Sequence, residues 1–112
     1  MSRTERVASL LKKEIADILH RKINDIRIGF ITITSIKISP DLTHAWVYYS
    51  QIGSEEQKQI TKKGLASATK FIKLEIGKVL TTQVVPNIHF QYDDTLERAQ
   101  KLIEKIDALS DQ

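Results

Sequence analysis

The chain has 112 residues, of which 41% are hydrophobic, and this length suits one compact domain with one core. Its 17 Lys and Arg residues exceed its 14 Asp and Glu residues, and the net charge of +3 permits binding to a polyanion without requiring it. With no cysteine, the sequence excludes disulfides, cysteine nucleophiles and thiolate-bound zinc. The absence of a long apolar run or a signal-peptide block predicts a soluble, cytoplasmic protein without a membrane partner.

An amphipathic helix is predicted from Thr4 to about His20. Its apolar residues recur at three- and four-residue steps and form one stripe: Val7, Leu10, Leu11, Ile15, Ile18 and Leu19. Ser2, followed three residues later by Glu5, is typical of a capping box, in which two side chains satisfy backbone donors at a helix start.

Two antiparallel strands are predicted next, joined by a turn at Pro40-Asp41. The first strand, Phe30 to Ile38, is rich in β-branched residues, and its apolar phase shifts at Thr34-Ser35, which indicates a β-bulge. The second strand runs from about Leu42 to Ser50. Alternation places His44, Trp46 and Tyr48 on one of its faces, and Ala45, Val47 and Tyr49 on the other.

A long helical period runs from about Glu55 to Leu80, after a second capping box of Ser54 and Gln57. One straight helix of that length would measure about 39 Å, which is longer than a small domain is wide. The prediction is therefore two helices that meet at a break. The small residues at its centre are the candidates for that break: Ala66, Ser67, Ala68 and Thr69.

A third strand and a last helix complete the chain. Ile88, Phe90 and Tyr92 alternate with His89 and Gln91, as in a short strand, and an amphipathic helix capped by Asp94 or Thr95 follows over residues 95–109, with 110–112 frayed. The predicted fold class is α+β, in the order α-β-β-α-α-β, with helices covering a three-stranded sheet and an added C-terminal helix. Residues 1–112 are predicted to form a single domain.

Several short segments match a known family in order along the chain. They are Arg6-Val7, Ile31-Thr32-Ile33-Thr34, Ser39-Pro40-Asp41-Leu42, Val47-Tyr48, Phe71-Ile72-Lys73, Gly77-Lys78, and Pro86 with Ile88, Phe90 and Asp93. In these segments the chain resembles the ribosome-binding factor A family, whose domain has the type II K-homology (KH) fold. The resemblance implies a cold-shock-linked assembly factor that binds the immature small (30S) ribosomal subunit and its 16S-type ribosomal RNA. Such a factor promotes late maturation and rRNA processing, and leaves before translation.

The chain departs from the family's pattern at two positions. The family bends its helices at an Ala-x-Gly triplet, whereas the corresponding residues here are Ala68-Thr69-Lys70. Because lysine adopts a left-handed backbone poorly, we expect another geometry at this turn. The family often has arginine where Lys73 stands, and a lysine favours a point contact with phosphate over base readout.

Basic residues near the predicted break are candidate RNA contacts, because phosphate binding needs several cations on one surface. Lys62, Lys63, Lys70 and Lys73 surround the break, Lys78 extends their line, and Arg3 and Arg6 form a second candidate patch. A solvated lysine face, and surface arginines near a helix start, would explain the same residues without RNA. Trp46 and Tyr48 could likewise stack on bases, or simply pack across strands or under the last helix.

Features of an enzyme are absent from the sequence pattern. His20, His44 and His89 lie in different elements without metal-site spacing, and helix capping explains Asp93-Asp94 and Glu55-Glu56. We therefore expect a monomer that is not an enzyme, with no catalytic residue, cofactor, metal or small-molecule substrate. The alternatives are a general KH-like module that binds another RNA or a protein, and a small hydrolase or metal-dependent enzyme.

Overall fold

The computed structural model describes residues 2–80 and 84–110, which form three helices and three strands. In chain order the elements are α1 (Arg3–Arg21), β1 (Thr32–Ile38), β2 (His44–Ser50), α2 (Glu55–Gly77), β3 (Asn87–Tyr92) and α3 (Thr95–Ser110). The predicted α+β fold class is confirmed. Ser110 still belongs to α3, and the rest of the predicted frayed end, residues 111–112, lies outside the described residues.

The three strands form one sheet in the order β1-β2-β3, with β1 antiparallel and β3 parallel to the central strand. A parallel neighbour requires a long crossover, and α2 supplies it. The register of β1 shifts by one residue between Ile33, which pairs with Tyr49, and Ser35, which pairs with Tyr48. The predicted bulge is therefore confirmed. Because Thr34 is the extra residue, Ile33 and Ile36 both pack against the core.

The core lies between one face of the sheet and two helices. α1 contributes Leu11, Ile15 and Ile18, α2 contributes Ala68, Ile72 and Ile76, and the strands contribute Ile33, Ala45, Val47 and Ile88. The predicted alternation of β2 is confirmed, since Ala45, Val47 and Tyr49 are buried while His44, Trp46 and Tyr48 face away from the helices. Both predicted capping serines are also in place, with the Ser2 and Ser54 hydroxyls accepting from the amides of Glu5 and Gln57.

The predicted break in the second helix is wrong, because α2 continues without interruption through Ala66, Ser67, Ala68 and Thr69. The segment has no proline, and alanine is the strongest helix former. The two hydroxyls bond within the helix, Ser67 Oγ donating to the Lys63 carbonyl at 3.1 Å and Thr69 Oγ1 to that of Ala66 at 2.9 Å. No left-handed residue is therefore needed at the triplet without glycine.

The molecule is longer than the width that the prediction from helix length assumed. Its extents are 60 × 36 × 18 Å. At about 1.5 Å per residue, α2 is about 35 Å long. The predicted α-α pair is thus one helix, and the observed order is α-β-β-α-β-α.

The alternative in which Trp46 and Tyr48 pack under the last helix is not supported, because the apolar stripe of α3 is exposed. Leu96 and Leu109 are each 70% exposed, and Leu102, Ile103 and Ile106 are exposed as well. The helix is held at its first turn, where the Glu97 carboxylate accepts from the Tyr92 hydroxyl and pairs with Lys58 Nζ at 3.0 Å. From Arg98 to Leu109 the side chains of α3 are exposed to solvent.

Asp93 joins β1 to the start of α3 through its carboxylate. Its Oδ1 accepts from the Thr95 hydroxyl and amide, and its Oδ2 accepts from Thr34 Oγ1 at 2.7 Å. These hydrogen bonds favour the ionised form and lower the pKa of Asp93 from 3.8 to about 2. The Thr95 hydroxyl makes the largest contribution, followed by the Thr34 hydroxyl and then the Thr95 amide. A carboxyl whose pKa is lower in the folded state stabilises the fold above its unfolded pKa, and this stability is lost as the pH falls from about 4 to about 2.

We therefore expect Asp93→Asn to lower the urea midpoint at neutral pH and to have a smaller effect near pH 2, where the parent carboxyl is becoming protonated. Urea unfolding of the two proteins across this range measures the difference. Glu104→Gln on the exposed part of α3 is the control, with little change in midpoint at any pH. If the urea midpoint of Asp93→Asn lies below that of the parent protein by the same amount at every pH, the stabilising role of the ionised Asp93 carboxylate is contradicted.

Candidate nucleic-acid interface

Four of the predicted RNA contacts lie on one outward face of α2. Lys62, Lys63, Lys70 and Lys73, here called the lysine stripe, point away from the buried side of the helix formed by Gly64, Leu65, Ala68 and Ile72. The continuity of α2 causes this alignment. Lys70 follows Lys63 by seven residues, which is about two helical turns, and Lys73 follows Lys62 by eleven residues, which is about three. The stripe extends over about 16 Å of helix.

The stripe borders the start of β3. Lys73 is half-buried and its Nζ donates to Asn87 Oδ1 at 2.7 Å, which leaves two of the three ammonium donors for another partner. Lys62 borders a cleft between α2 and β3 that Phe90 and Tyr92 also line. One turn earlier, Lys58 belongs to a different arrangement, since its hydrogen bonds with Glu97 and Tyr92 raise its pKa.

An apolar groove runs beside the carboxyl-terminal half of the stripe. It is lined by Lys70, Lys73, Leu74, Gly77 and Val85, and because the two lysines contribute their alkyl stems, the groove surface is almost wholly apolar. A Cβ added at Gly77 would make an ordinary contact with Val85 Cγ2, at 3.5 Å, so the two residues border the groove closely. Such a surface can hold a phosphate on the lysines while a ribose or base covers the apolar floor.

Lys78 does not extend the stripe as the sequence predicted. It lies on the flank of α2 that faces α1, where its Nζ pairs with Glu75 Oε1 at 2.9 Å, and Lys22, just after α1, pairs with Glu75 Oε2 at 2.8 Å. The hydrogen bond from Lys22 and then that from Lys78 lower the pKa of Glu75. Arg3 and Arg6 lie exposed at the start of α1, on a different element from the stripe. An RNA contact by these three residues stays a prediction.

A second surface, on the side of the sheet opposite the helices, was mostly missed by reasoning from the sequence. Lys37, Trp46 and His89 lie side by side on β1, β2 and β3, and His44 Nδ1 is 2.9 Å from His89 Nε2. Lys37 Nζ also lies 5.8 Å from the Tyr48 ring centroid. The alternation of β2 and β3 was visible in the sequence, but the pairing between histidines 45 residues apart was not, because it depends on the strand register.

Across residues 2–80 and 84–110, no three His, Cys, Asp or Glu side chains are grouped so that they could hold a metal ion. Within the same ranges, no helix combines the length and the apolar character needed to cross a membrane.

The chain as a whole is similar to known proteins of one family. A family model described as ribosome-binding factor A matches residues 3–106. Ribosome-binding factor A of Dictyoglomus thermophilum is 44% identical over 108 residues, covering 96% of this chain and 90% of the relative. That of Thioalkalivibrio sulfidiphilus is 40% identical over 106 residues, covering 95% of this chain and 82% of the relative.

Solved structures share the fold. The crystal structure of ribosome-binding factor A from Thermus thermophilus superposes with a TM-score of 0.70 at 18% identity, covering 80% of this chain and 93% of the other. The solution structure of a Thermotoga maritima protein described as a putative ribosome binding factor A gives a TM-score of 0.68 at 28% identity, over 80% and 85% of the two chains. A Thermus thermophilus homology model fitted into the electron microscopy map of a 30S–RbfA complex gives 0.62 at 19% identity, over 77% and 90%.

Proposed function

The chain belongs to the ribosome-binding factor A family, and from this premise we propose that it binds the immature small (30S) ribosomal subunit through its 16S-type ribosomal RNA. Bound there, it promotes late maturation and rRNA processing, including during cold shock, and then dissociates. The one observation that carries the proposal within this molecule is the lysine stripe on the uninterrupted α2, beside an apolar groove.

The chemistry of the stripe suits the RNA backbone. Lysines act as point charges, so they bind phosphates and position the protein without reading base sequence. Each contact releases counterions from the RNA, which makes the affinity strongly dependent on salt. Specificity for the small subunit then depends on the shape of its RNA and on contacts outside the stripe.

We further propose that residues 1–112 act as a single KH-like domain, as a monomer in the cytoplasm and without a catalytic step. A family defined by ribosome binding supports this assignment, since binding alone accounts for its role. The alternative of a general module that binds another RNA or a protein has one observation in its favour, the exposed apolar stripe of α3. A protein-only binder would show no steep salt dependence with nucleic acid.

Co-sedimentation with separated ribosomal subunits tests the proposal. The tagged full chain should migrate with the small subunit and not with the large one, and the bound fraction should fall steeply as salt is raised from low to moderate concentration. Equal binding to both subunits would point to unspecific attraction by RNA. No binding at any salt concentration would reject the ribosomal role in favour of the protein-binding alternative.

A further inference from the structure

The sheet face opposite the helices carries an array of rings and polar groups, here called the ring face. It consists of Lys37 on β1, His44, Trp46 and Tyr48 on β2, and His89 and Gln91 on β3. Because α1 and α2 pack on the other side, neither helix covers it. α3 reaches only its edge, where Arg98 lines a shallow cleft together with Lys37 and Tyr48.

Three rings of this face have nearly parallel planes. The ring planes of His44 and His89 are inclined by 29°. The ring plane of Trp46 is inclined by 29° to that of His44 and by 25° to that of His89, and its centroid lies 5.8 Å from each imidazole centroid. The two imidazole centroids are 5.1 Å apart, and the bonded nitrogens, His44 Nδ1 and His89 Nε2, are 2.9 Å apart. The difference is about two ring radii, as expected when the nitrogens lie on the line between the ring centres. The two imidazoles therefore lie edge to edge, joined by a hydrogen bond, which holds them in place before any ligand arrives.

The charges of the ring face suit an anionic ligand. Of the six residues that form this face, Lys37 carries a formal charge, and that charge is positive. Three carboxylates near its edges are already engaged: Asp41, close to His44, accepts from Ser39 and Thr43, Asp93 accepts from Thr34 and Thr95, and Asp94 pairs with Arg98 at 3.0 Å. A phosphate backbone that crosses this face thus meets the ammonium group of Lys37, and each of these three carboxylates already has a partner.

We propose that the ring face binds the bases of an unpaired RNA strand. Trp46 and Tyr48 stack with bases, Lys37 contacts a phosphate, and the outward polar edges of His89 and Gln91 form hydrogen bonds with base edges. A base inside a duplex is already stacked on both sides, so the ligand is single-stranded RNA. This inference rests on the proposed function as an RNA-binding protein, and adds a second contact surface that is separate from the lysine stripe.

Trp46 provides a direct probe, because it is the one tryptophan of the chain. Its fluorescence should be quenched when the protein is titrated with an unpaired oligoadenylate. It should change little with an abasic ribose-phosphate oligomer of equal charge or with a blunt-ended RNA duplex. Tyr48→Ala and His89→Ala should each weaken oligoadenylate binding, the first by about tenfold through the loss of one stacked base. Gln100→Ala, a change of an exposed residue on α3 away from the ring face, is the matched control and should leave binding unchanged.

Circular dichroism of each variant establishes that it is folded, and His89→Ala removes an exposed side chain, so it tests the face even if Tyr48→Ala is destabilised. Equal quenching by the abasic oligomer would overturn the proposal, since it would show a response to charge alone. Oligoadenylate binding detected by anisotropy without any change at Trp46 would also overturn it, while leaving the proposed RNA-binding function intact. Absence of binding to every RNA, including the small subunit, would reject both.

Discussion

Replacing Ile72 with alanine is expected to lower the free energy of unfolding by about 2–5 kcal/mol. The side chain has no exposed surface and lies at the centre of the core between α2, α1 and the sheet. Its removal loses the transfer free energy of three carbons and leaves a cavity that the surrounding side chains fill only in part. Since a domain of this size is stable by about 5–15 kcal/mol, the change removes a large share of the total. Urea unfolding followed by circular dichroism measures it.

Leu74→Ala, two residues further along α2, is the matched control. Leu74 is 70% exposed, so its replacement should change the free energy of unfolding by no more than about 0.5 kcal/mol. The helix propensities of the two changes are similar in size, and the comparison therefore isolates burial. Equal losses for Ile72→Ala and Leu74→Ala would mean that α2 does not pack on the sheet through the face described above.

The second large effect is expected at the lysine stripe. Changing Lys62, Lys63, Lys70 and Lys73 together to glutamine should weaken binding to the small subunit about a hundredfold or more near 0.1 M salt. If each lysine neutralises one phosphate, the slope of log affinity against log salt should become shallower by about 3. The fold should be retained, because Lys62, Lys63 and Lys70 are exposed, and the change at Lys73 removes one hydrogen bond, to Asn87. Co-sedimentation or filter binding at several salt concentrations provides both quantities.

A variant of equal charge separates the stripe from the net charge of the protein. Lys12, Lys13, Lys101 and Lys105 are four exposed lysines on α1 and α3, and their change to glutamine alters the net charge by the same amount. This control should bind nearly as well as the parent protein, with nearly the same salt slope. If both quadruple variants lose affinity equally, overall charge and not the stripe drives binding. If neither loses affinity, the RNA contacts lie elsewhere on the protein.

The candidate site was partly visible in the sequence. The lysines of the stripe were identified from their spacing, but the reason first given for their grouping, a helix break at Ala66 to Thr69, was wrong. They share a face because the helix continues, and helical periodicity would have been sufficient to show it. Lys78 was assigned to the same line although it lies on the flank that pairs with Glu75. The ring face was identified only as far as Trp46 and Tyr48.

The sequence by itself determined the elements of this protein and the buried face of most of them. The apolar stripes of α1 and α2, the alternation of β2 and the bulge at Thr34 follow from spacing along the chain, because backbone geometry repeats with a local period. Only the tertiary structure decided that α2 runs unbroken and that the apolar stripe of α3 stays exposed. It alone brought His44 and His89 together. These outcomes depend on strand register and on which surfaces cover one another, and both result from packing between residues far apart in the chain.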